Sequence, residues 1–259
     1  EKLFDVPAGE LSGELARRRI GASSSRALVR RVVRPHPDRG VFFYPRRGYG
    51  QISEALADAA TAAGARIRTD TEVTAAHAGT VETTAGSFTA AEVWSTLPLP
   101  LLARLAGAPA DVLAAAERLE SRPLTLVYLV LPTGRWTGYD AHYFPELAVP
   151  MVRVSEPKNY RDSVDDPSDV TVLCAEVPGD VDDPGPRVVD ALRRNDLPCP
   201  EPIHVEVRRV PRAYPVYRVG FEAALATLDA WALAVPNVLS FGRQGLFAHD
   251  NTCLLYTSP

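Results

Sequence analysis

Three short breaks rich in glycine or proline follow apolar stretches that read as strands. They span residues 48–50, 95–98 and 242–245. In an open α/β sheet, ligands bind beyond the carboxyl ends of the strands, and glycine lets the backbone come close to the ligand. Arg243 lies inside the third break, where a guanidinium can pair with two oxygens of a diphosphate. The breaks therefore favour a phosphate-containing ligand, although ordinary turns and a surface ion pair at Arg243 would produce the same pattern.

No catalytic constellation accompanies these breaks. The sequence contains no GxSxG, HExxH or GxxxxGK[ST] motif, which would indicate a serine hydrolase, a zinc peptidase or a nucleotide-phosphate loop. The five histidines and three cysteines are scattered, without the spacing of a metal site or a disulfide framework. We therefore assign no catalytic residue and no metal ligand, and we expect a reducing, cytoplasmic setting.

The composition of the chain narrows the class of protein further. Of its 259 residues, 46% are hydrophobic and 23% are charged, which predicts a folded globular protein. The net charge of -4 argues against general nucleic-acid binding. No apolar run reaches the roughly 18 to 20 residues that span a bilayer. We expect no nucleic-acid partner and no transmembrane segment, and leave peripheral membrane contact open.

The elements that must position the breaks begin with an α/β pattern. Residues 10–34 read as two short helices whose arginine-rich faces are more typical of solvated surfaces than of phosphate contacts. Residues 40–45 read as a strand, 52–63 as an amphipathic helix and 65–70 as the next strand. This strand–helix–strand order predicts a parallel crossover unit.

The middle of the chain reads as strands separated by turns. Residues 124–131 form a continuous apolar run that is typical of a buried strand. The other predicted strands of this region are residues 142–144, 151–154, 170–177 and 203–210, with a helix at 186–195. This pattern predicts a mostly antiparallel sheet, after which a helix from residue 221 and a strand at 236–241 return to the α/β pattern.

Taken in order, these segments resemble the FAD-dependent amine-oxidase-type flavoproteins. The matching segments are residues 42–51 (FFYPRRGYGQ), 71–73 (TEV), 93–98 (VWSTLP) and 214–251, which includes 242–247 (GRQGLF). The last of them is closest to the protoporphyrinogen-oxidase-like and UDP-galactopyranose-mutase-like members. The resemblance covers residues 40–252, and it depends on the combination because no single segment is specific.

The resemblance implies FAD as the cofactor and suggests which residues contact it. Val73 would hold the adenine end through its backbone. Gly242 and Arg243 would lie at the diphosphate and ribityl chain, and Gly48 and Tyr49 near the isoalloxazine ring. The other implied contacts are Ser95, Thr96, Leu97 and Pro98, which would line the adenosine and diphosphate region, and Asn251, which would end the stretch under the flavin ring.

The resemblance also implies the fold class, which is α/β (α+β overall). It implies a partial, Rossmann-like FAD-binding domain, into which a mostly antiparallel substrate domain is inserted. The implied parts are a helical segment of the substrate domain at 1–40, the FAD-binding domain at 41–100 and 214–252, the substrate domain at 101–213 and a non-native tail at 253–259. Within the substrate domain, Tyr128, Tyr143 and Arg153 are the candidates for the substrate pocket.

Two departures from the family pattern affect what the chain can do. Family members begin with a strand–GxGxxG–helix unit, and no GxGxxG follows a strand here. Family members also continue after the asparagine region into a long helix, which residues 253–259 do not fit. The resemblance therefore predicts an N-terminally truncated fragment.

Three interpretations stay open. The leading one is a fragment of an FAD-dependent oxidoreductase in which the flavin accepts a hydride from a small-molecule substrate. The alternative is a flavin-dependent sugar isomerase similar to UDP-galactopyranose mutase, which would need arginines that clamp a nucleotide diphosphate. Arg153 and Arg218 could serve in that way. The third is an inactive fragment, unable to bind FAD without its dinucleotide-binding unit, and this is the outcome we expect for the 259-residue chain by itself.

Overall fold

A computed structural model describes residues 2–14, 43–161 and 163–249. The chain divides into two compact units. The first unit contains the described parts of residues 1–6, 33–67 and 122–213, and the second those of residues 7–32, 68–121 and 214–259. Both units combine helices and strands, so the predicted mixed α/β class is confirmed.

The helices and strands agree with most of the segments predicted from sequence. The helices are α1 (Gly50–Ala62), α2 (Leu99–Leu105), α3 (Ala110–Glu117), α4 (Pro184–Arg194), α5 (Phe221–Ala234) and α6 (Gly242–Gly245). The strands are β1 (Val73–His77), β2 (Thr80–Thr83), β3 (Gly86–Thr89), β4 (Val93–Ser95), β5 (Ser121–Leu131), β6 (Ala141–Tyr143), β7 (Arg153–Ser155), β8 (Thr171–Pro178), β9 (His204–Pro215) and β10 (Val238–Ser240). Short 3-10 turns lie at Ala8–Glu10 and Pro157–Tyr160.

The first unit is built on a five-stranded sheet in the order β6-β7-β8-β5-β9. The pairs β6/β7, β7/β8 and β8/β5 are antiparallel, which confirms the prediction for this region. Side chains alternate between the two faces of a strand. On one face Val127, Leu129 and Leu131 are fully buried in a core that includes Val188 and Leu192 of α4. The opposite face carries the polar side chains described below.

The second unit contains two small sheets and a helical core. Strands β1, β2 and β3 form an antiparallel sheet in which β2 and β3 make a hairpin. Strands β4 and β10 pair in parallel. Helices α2, α3 and α5 share a core whose buried side chains include Leu99, Val112, Phe221 and Leu228. The helical core thus lies in the same unit as the parallel pair.

The predicted parallel crossover around α1 is wrong. Residues 43–45 and 65–70 are not strands, and residues 65–70 are exposed along their whole length. Strand β1, the next one along the chain, pairs with β2 in antiparallel orientation. An extended segment becomes a strand only when another strand satisfies its backbone groups, and none of the described residues does so for residues 65–70. Parallel pairing occurs instead between β4 and β10, which lie far apart in the sequence.

The two compact units also differ in their bounds from the division that the resemblance implies. Residues 43–67 group with 122–213, and residues 101–121 group with the second unit. The division into a cofactor domain and a substrate domain remains a prediction. Residues 15–34, which contain most of the two predicted N-terminal helices, and the tail at 253–259 lie outside the described residues. No described helix has both the length and the apolar character needed to cross a membrane.

Candidate functional site

Two of the predicted breaks lie at the same edge of the parallel β4/β10 pair in the second unit. Ser240 pairs with Ser95 at the ends of the two strands. The backbone N–H of Phe241 then donates to the Ser95 carbonyl at 3.0 Å. Both strands run in the same direction, so the 95–98 loop and the Gly242–Gly245 turn leave the sheet from its carboxyl edge. This is the edge at which α/β sheets bind ligands.

Glycine is required in the Gly242–Gly245 turn. A Cβ atom at Gly245 would lie 2.8 Å from the Ser240 Oγ and 3.3 Å from the Ser95 carbonyl oxygen, so a larger residue would push the two segments apart. Gly242 has a φ of +77°, in the left-handed region that favours glycine. The turn is therefore held tightly against β4, which fixes the backbone position of Arg243.

The 95–98 loop is held at this edge by a local hydrogen bond and by the start of α2. The N–H of Leu97 donates to the Ser95 hydroxyl at 3.3 Å, and Pro98 immediately precedes α2. Thr96 is exposed, and a Cβ at Gly242 would lie 3.7 Å from its Cγ2 methyl group. The structure thus brings the neighbourhoods of Ser95, Thr96 and Gly242 together.

Arg243 is oriented by aromatic rings. Its guanidinium carbon lies 5.4 Å from the centre of the Tyr214 ring, within the range of a cation–π interaction. The Tyr214 ring in turn stacks on the His249 ring, with centroids 5.2 Å apart and planes inclined by 17°. The Tyr217 hydroxyl donates to the Phe247 carbonyl at 3.0 Å and accepts from the His249 N–H at 2.9 Å. Tyr217 therefore holds the backbone that carries the stack.

The remaining predicted cofactor residues are distributed differently. Val73 lies in the three-stranded sheet of the second unit, where it is paired with Thr83. Gly48 and Tyr49 lie in the first unit, immediately before α1, and Gly48 has a φ of +91°. Asn251 lies outside the described residues. The second and third breaks therefore lie together in the second unit, whereas the first break belongs to the first unit.

The three predicted pocket residues share one face of the five-stranded sheet. Tyr143 is paired with Arg153, and Arg153 is paired with Glu176. Tyr128 is paired with Cys174 in the next row of the same face. Residues that are directly paired across strands project from the same side of a sheet. The structure thus brings Tyr128, Tyr143 and Arg153 together on the face opposite α4, which we call the polar face.

Arg153 is already bound to a carboxylate. Its Nε donates to the Glu176 Oε1 at 3.0 Å, and its Nη2 donates to the same oxygen. Burial alone would lower the pKa of Arg153, but the Glu176 carboxylate more than offsets this effect and the pKa is raised overall. Glu176 is itself buried. The charges therefore compensate each other on the polar face.

Burial also acts on Cys174 and Tyr128 of the polar face. Burial raises the pKa of the Cys174 thiol to about 11, and it also raises the pKa of the Tyr128 hydroxyl that is hydrogen-bonded to this thiol. A thiol in this state is not an activated nucleophile. No sequence motif indicates Cys174 or Glu176 as site residues, because their contacts depend on strand register.

Tyr160 connects the polar face to a group of aromatic residues in the same unit. Its hydroxyl is hydrogen-bonded to that of Ser155, and burial raises its pKa. Its ring lies 5.3 Å from the Tyr44 ring, with the planes inclined by 38°. The cavity beside these rings has a volume of about 290 Å³, and its lining residues are Phe43, Tyr44, Pro45, Tyr49, Ile52 and Tyr160. We call it the aromatic cavity.

Among solved structures, a reduced UDP-galactopyranose mutase matches with a TM-score of 0.76 at 19% identity, over 94% of this chain and 56% of that one. A protein of Exiguobacterium sp. 255-15, provisionally assigned as a protoporphyrinogen oxidase, matches with a TM-score of 0.67 at 19% identity, over 91% and 55%. A putrescine oxidase triple mutant with redesigned cofactor binding matches with a TM-score of 0.52 at 16% identity, over 75% and 46%. These likenesses establish the fold.

The chain spans little more than half the length of the first two of these structures. No curated protein sequence matches it significantly. The family model of flavin containing amine oxidoreductases matches residues 11–257, which is nearly the whole chain. The protein whose parallel strand pair and polar face are described above therefore belongs to the flavin-containing amine oxidoreductase family.

Proposed function

We propose that this chain is part of an FAD-dependent oxidoreductase that removes a hydride from a small-molecule substrate. The observation that carries the proposal is the meeting of the 95–98 loop and the Gly242–Gly245 turn at the carboxyl edge of β4 and β10. A ligand site is expected at such an edge, and the family to which the chain belongs contains a flavin.

The side chains at this edge fit the diphosphate of FAD. Arg243 supplies a positive charge and several N–H donors, and its stacking on Tyr214 restricts the directions in which it can point. The exposed Thr96 beside Gly242 supplies a hydroxyl. In the proposed complex Val73 holds the adenine end through its backbone, in the same unit. We propose Gly48 and Tyr49 of the first unit as contacts of the isoalloxazine ring.

Bound FAD supplies a two-electron acceptor at flavin N5. The role of the protein side chains is to bind and orient the substrate. Tyr128, Tyr143 and Arg153 of the polar face are the proposed orienting residues. None of the pKa values described there lies near 7: the pKa of Cys174 is about 11, and the tyrosine hydroxyls of Tyr128 and Tyr160 have raised pKa values. We therefore propose that these residues position the substrate and exclude water, and do not move protons.

The state of the arginines favours oxidation over sugar isomerisation. A mutase-like enzyme would hold a nucleotide diphosphate with arginines that are not already neutralised. Arg153 is bound to Glu176. Arg218 donates to Glu10 at 2.8 Å and to Glu120 at 2.9 Å. Both candidate clamps are thus engaged with carboxylates of the chain itself.

Binding of FAD by the 259-residue chain tests the proposal. The chain is mixed with FAD and passed through a gel-filtration column, and the flavin absorption band of the protein peak is measured. Although the sequence alone predicts an inactive fragment, the proposed site at the edge of β4 and β10 predicts that the chain retains the band. The band should be lost in Arg243→Ala and kept in the control Arg104→Ala, an exposed arginine of α2.

Two outcomes would count against this proposal. A chain that retains no FAD would support the interpretation of an inactive fragment. Equal retention by Arg243→Ala and the unmodified chain would remove Arg243 from the proposed cofactor site. To separate oxidase from mutase, the FAD-loaded chain is mixed with UDP-galactopyranose after reduction, and turnover there would favour the mutase alternative.

A further inference from the structure

Three neighbouring apolar side chains that line the aromatic cavity are exposed. Phe43 is fully exposed, Tyr49 is 56% exposed and Ile52 is 44% exposed. Single exposed apolar side chains are common, but a contiguous group of them marks a binding surface. The cavity volume of about 290 Å³ is at the small end of the range for ligand sites, enough for about two fused aromatic rings.

The walls of this cavity are held in place by contacts that do not need a ligand. The Tyr44 and Tyr160 rings pack against each other. Arg161, the next residue after Tyr160, donates from Nη1 to the Arg46 carbonyl and from Nη2 to Asp166 at 2.5 Å. These bonds tie the segment that carries Tyr44 to the segment that carries Tyr160, so the cavity is formed before a ligand arrives.

The lining residues that the structure describes offer hydrogen bonds and include no charged side chain. They are four aromatic residues, a proline and an isoleucine. The charges of Arg153 and Asp140 act on the Tyr160 hydroxyl in opposite directions, and Arg153 is in addition paired with Glu176. A charged ligand would lose its hydration here without gaining an opposite charge. The cation-attracting face of the Tyr160 ring is moreover partly covered by Tyr44.

We infer that the aromatic cavity binds an uncharged, planar, ring-containing small molecule whose polar group hydrogen-bonds to Tyr160. The inference of a binding site stands on the cavity itself. Its further step, that this molecule is the substrate of the flavin-dependent reaction, rests on the function proposed above. In that step the ring of the substrate packs against Tyr44 and Tyr49, and its polar group points toward Ser155 and the polar face.

Three naphthalene derivatives of the same shape test the charge preference. They are 2-naphthol, 2-naphthoate and 2-naphthylmethylammonium, which are neutral, anionic and cationic at pH 7. Binding to the full chain is followed by the change in naphthalene fluorescence. We expect 2-naphthol to bind at least about tenfold more tightly than either charged compound, because a charge loses its hydration in the cavity.

Variants locate the binding site. Tyr160→Phe keeps the ring and removes the hydroxyl, so we expect the affinity for 2-naphthol to fall by about three- to tenfold. Tyr49→Ala removes part of the wall at an exposed position, with little cost to folding, and we expect a larger loss. The matched control is Tyr139→Ala, which removes an aromatic ring that is 70% exposed and lies outside the cavity.

Each result supports or overturns the inference. Tighter binding of a charged compound, absence of saturable binding, or equal weakening in Tyr139→Ala and Tyr49→Ala would overturn it. If the flavin ring of FAD displaces bound 2-naphthol, the cavity binds the cofactor, and the assignment of the cavity ligand as the substrate is overturned. A chain that binds 2-naphthol but retains no FAD would instead contradict the proposed function. The inference that the cavity is a binding site would still hold.

Discussion

Arg153 of β7 donates two hydrogen bonds to a single oxygen of Glu176, its cross-strand neighbour on β8. The side chain of Glu176 is nearly buried, and that of Arg153 is 37% exposed. The pair therefore places a neutralised ion pair in the middle of the polar face. It fixes the geometry of the face and also removes the charge that an anionic ligand would need.

Breaking this pair should destabilise the protein. Glu176→Gln keeps the shape of the side chain but leaves the Arg153 guanidinium without its counter-charge. We expect the free energy of unfolding, measured in urea, to fall by about 1–2 kcal/mol. Glu206→Gln, at a solvent-exposed pair with Arg208 in β9, serves as the control and should change stability by less than about 0.5 kcal/mol.

The same variant offers a check on the charge argument for the aromatic cavity. With the Arg153 charge uncompensated, the affinity of Glu176→Gln for 2-naphthoate should rise relative to that for 2-naphthol. An unchanged preference would show that the Arg153–Glu176 pair has no influence on ligand charge at the cavity.

Tyr217 should be important for the stability of the second unit. Its hydroxyl satisfies the Phe247 carbonyl and the His249 N–H, both in a buried environment. Tyr217→Phe leaves these two backbone groups without a partner, and we expect a loss of about 1–3 kcal/mol in urea unfolding. Tyr139→Phe removes an exposed hydroxyl and should have almost no effect. Similar losses in the two variants would contradict the assigned hydrogen bonds.

Tyr214 should affect cofactor binding through Arg243 and not through a contact of its own. Tyr214→Phe keeps the ring under the guanidinium and should leave the affinity for FAD almost unchanged. Tyr214→Leu removes the ring and should weaken FAD binding by about three- to tenfold, in line with a cation–π interaction of about 1 kcal/mol. Fluorescence titration of the flavin gives both affinities. A large loss in Tyr214→Phe would point instead to a direct role of the hydroxyl.

Cys174 should make the protein less stable at high pH. Its pKa is about 11 in the folded chain, above the ordinary thiol value of 9.0. Between these values the unfolded chain releases the thiol proton while the folded chain retains it, so stability falls as pH rises from about 9 to 11. The total effect is at most about 2–3 kcal/mol. Cys174→Ala should show a flatter decline between pH 8 and pH 10.5 in urea unfolding, and an identical slope would contradict the raised pKa.

The elements that the sequence determined are those specified by neighbouring residues. The apolar run at residues 124–131 became the buried part of β5. Helix α4 likewise follows from the spacing of Val188 and Leu192, which turn toward the core. In each case the burial of one face repeats with the period of the element itself.

Only the tertiary structure decided which of these elements meet. Residues 65–70 have a strand-like sequence but no pairing strand among the described residues, while β4 pairs in parallel with the distant β10. Arg243 was conspicuous in the sequence, yet its partner Tyr214 was not. The same holds for Glu176 beside Arg153 and for Tyr44 beside Tyr160. Local periodicity determines which side of a strand or helix is apolar, but strand register and long-range packing determine which side chains come within bonding distance.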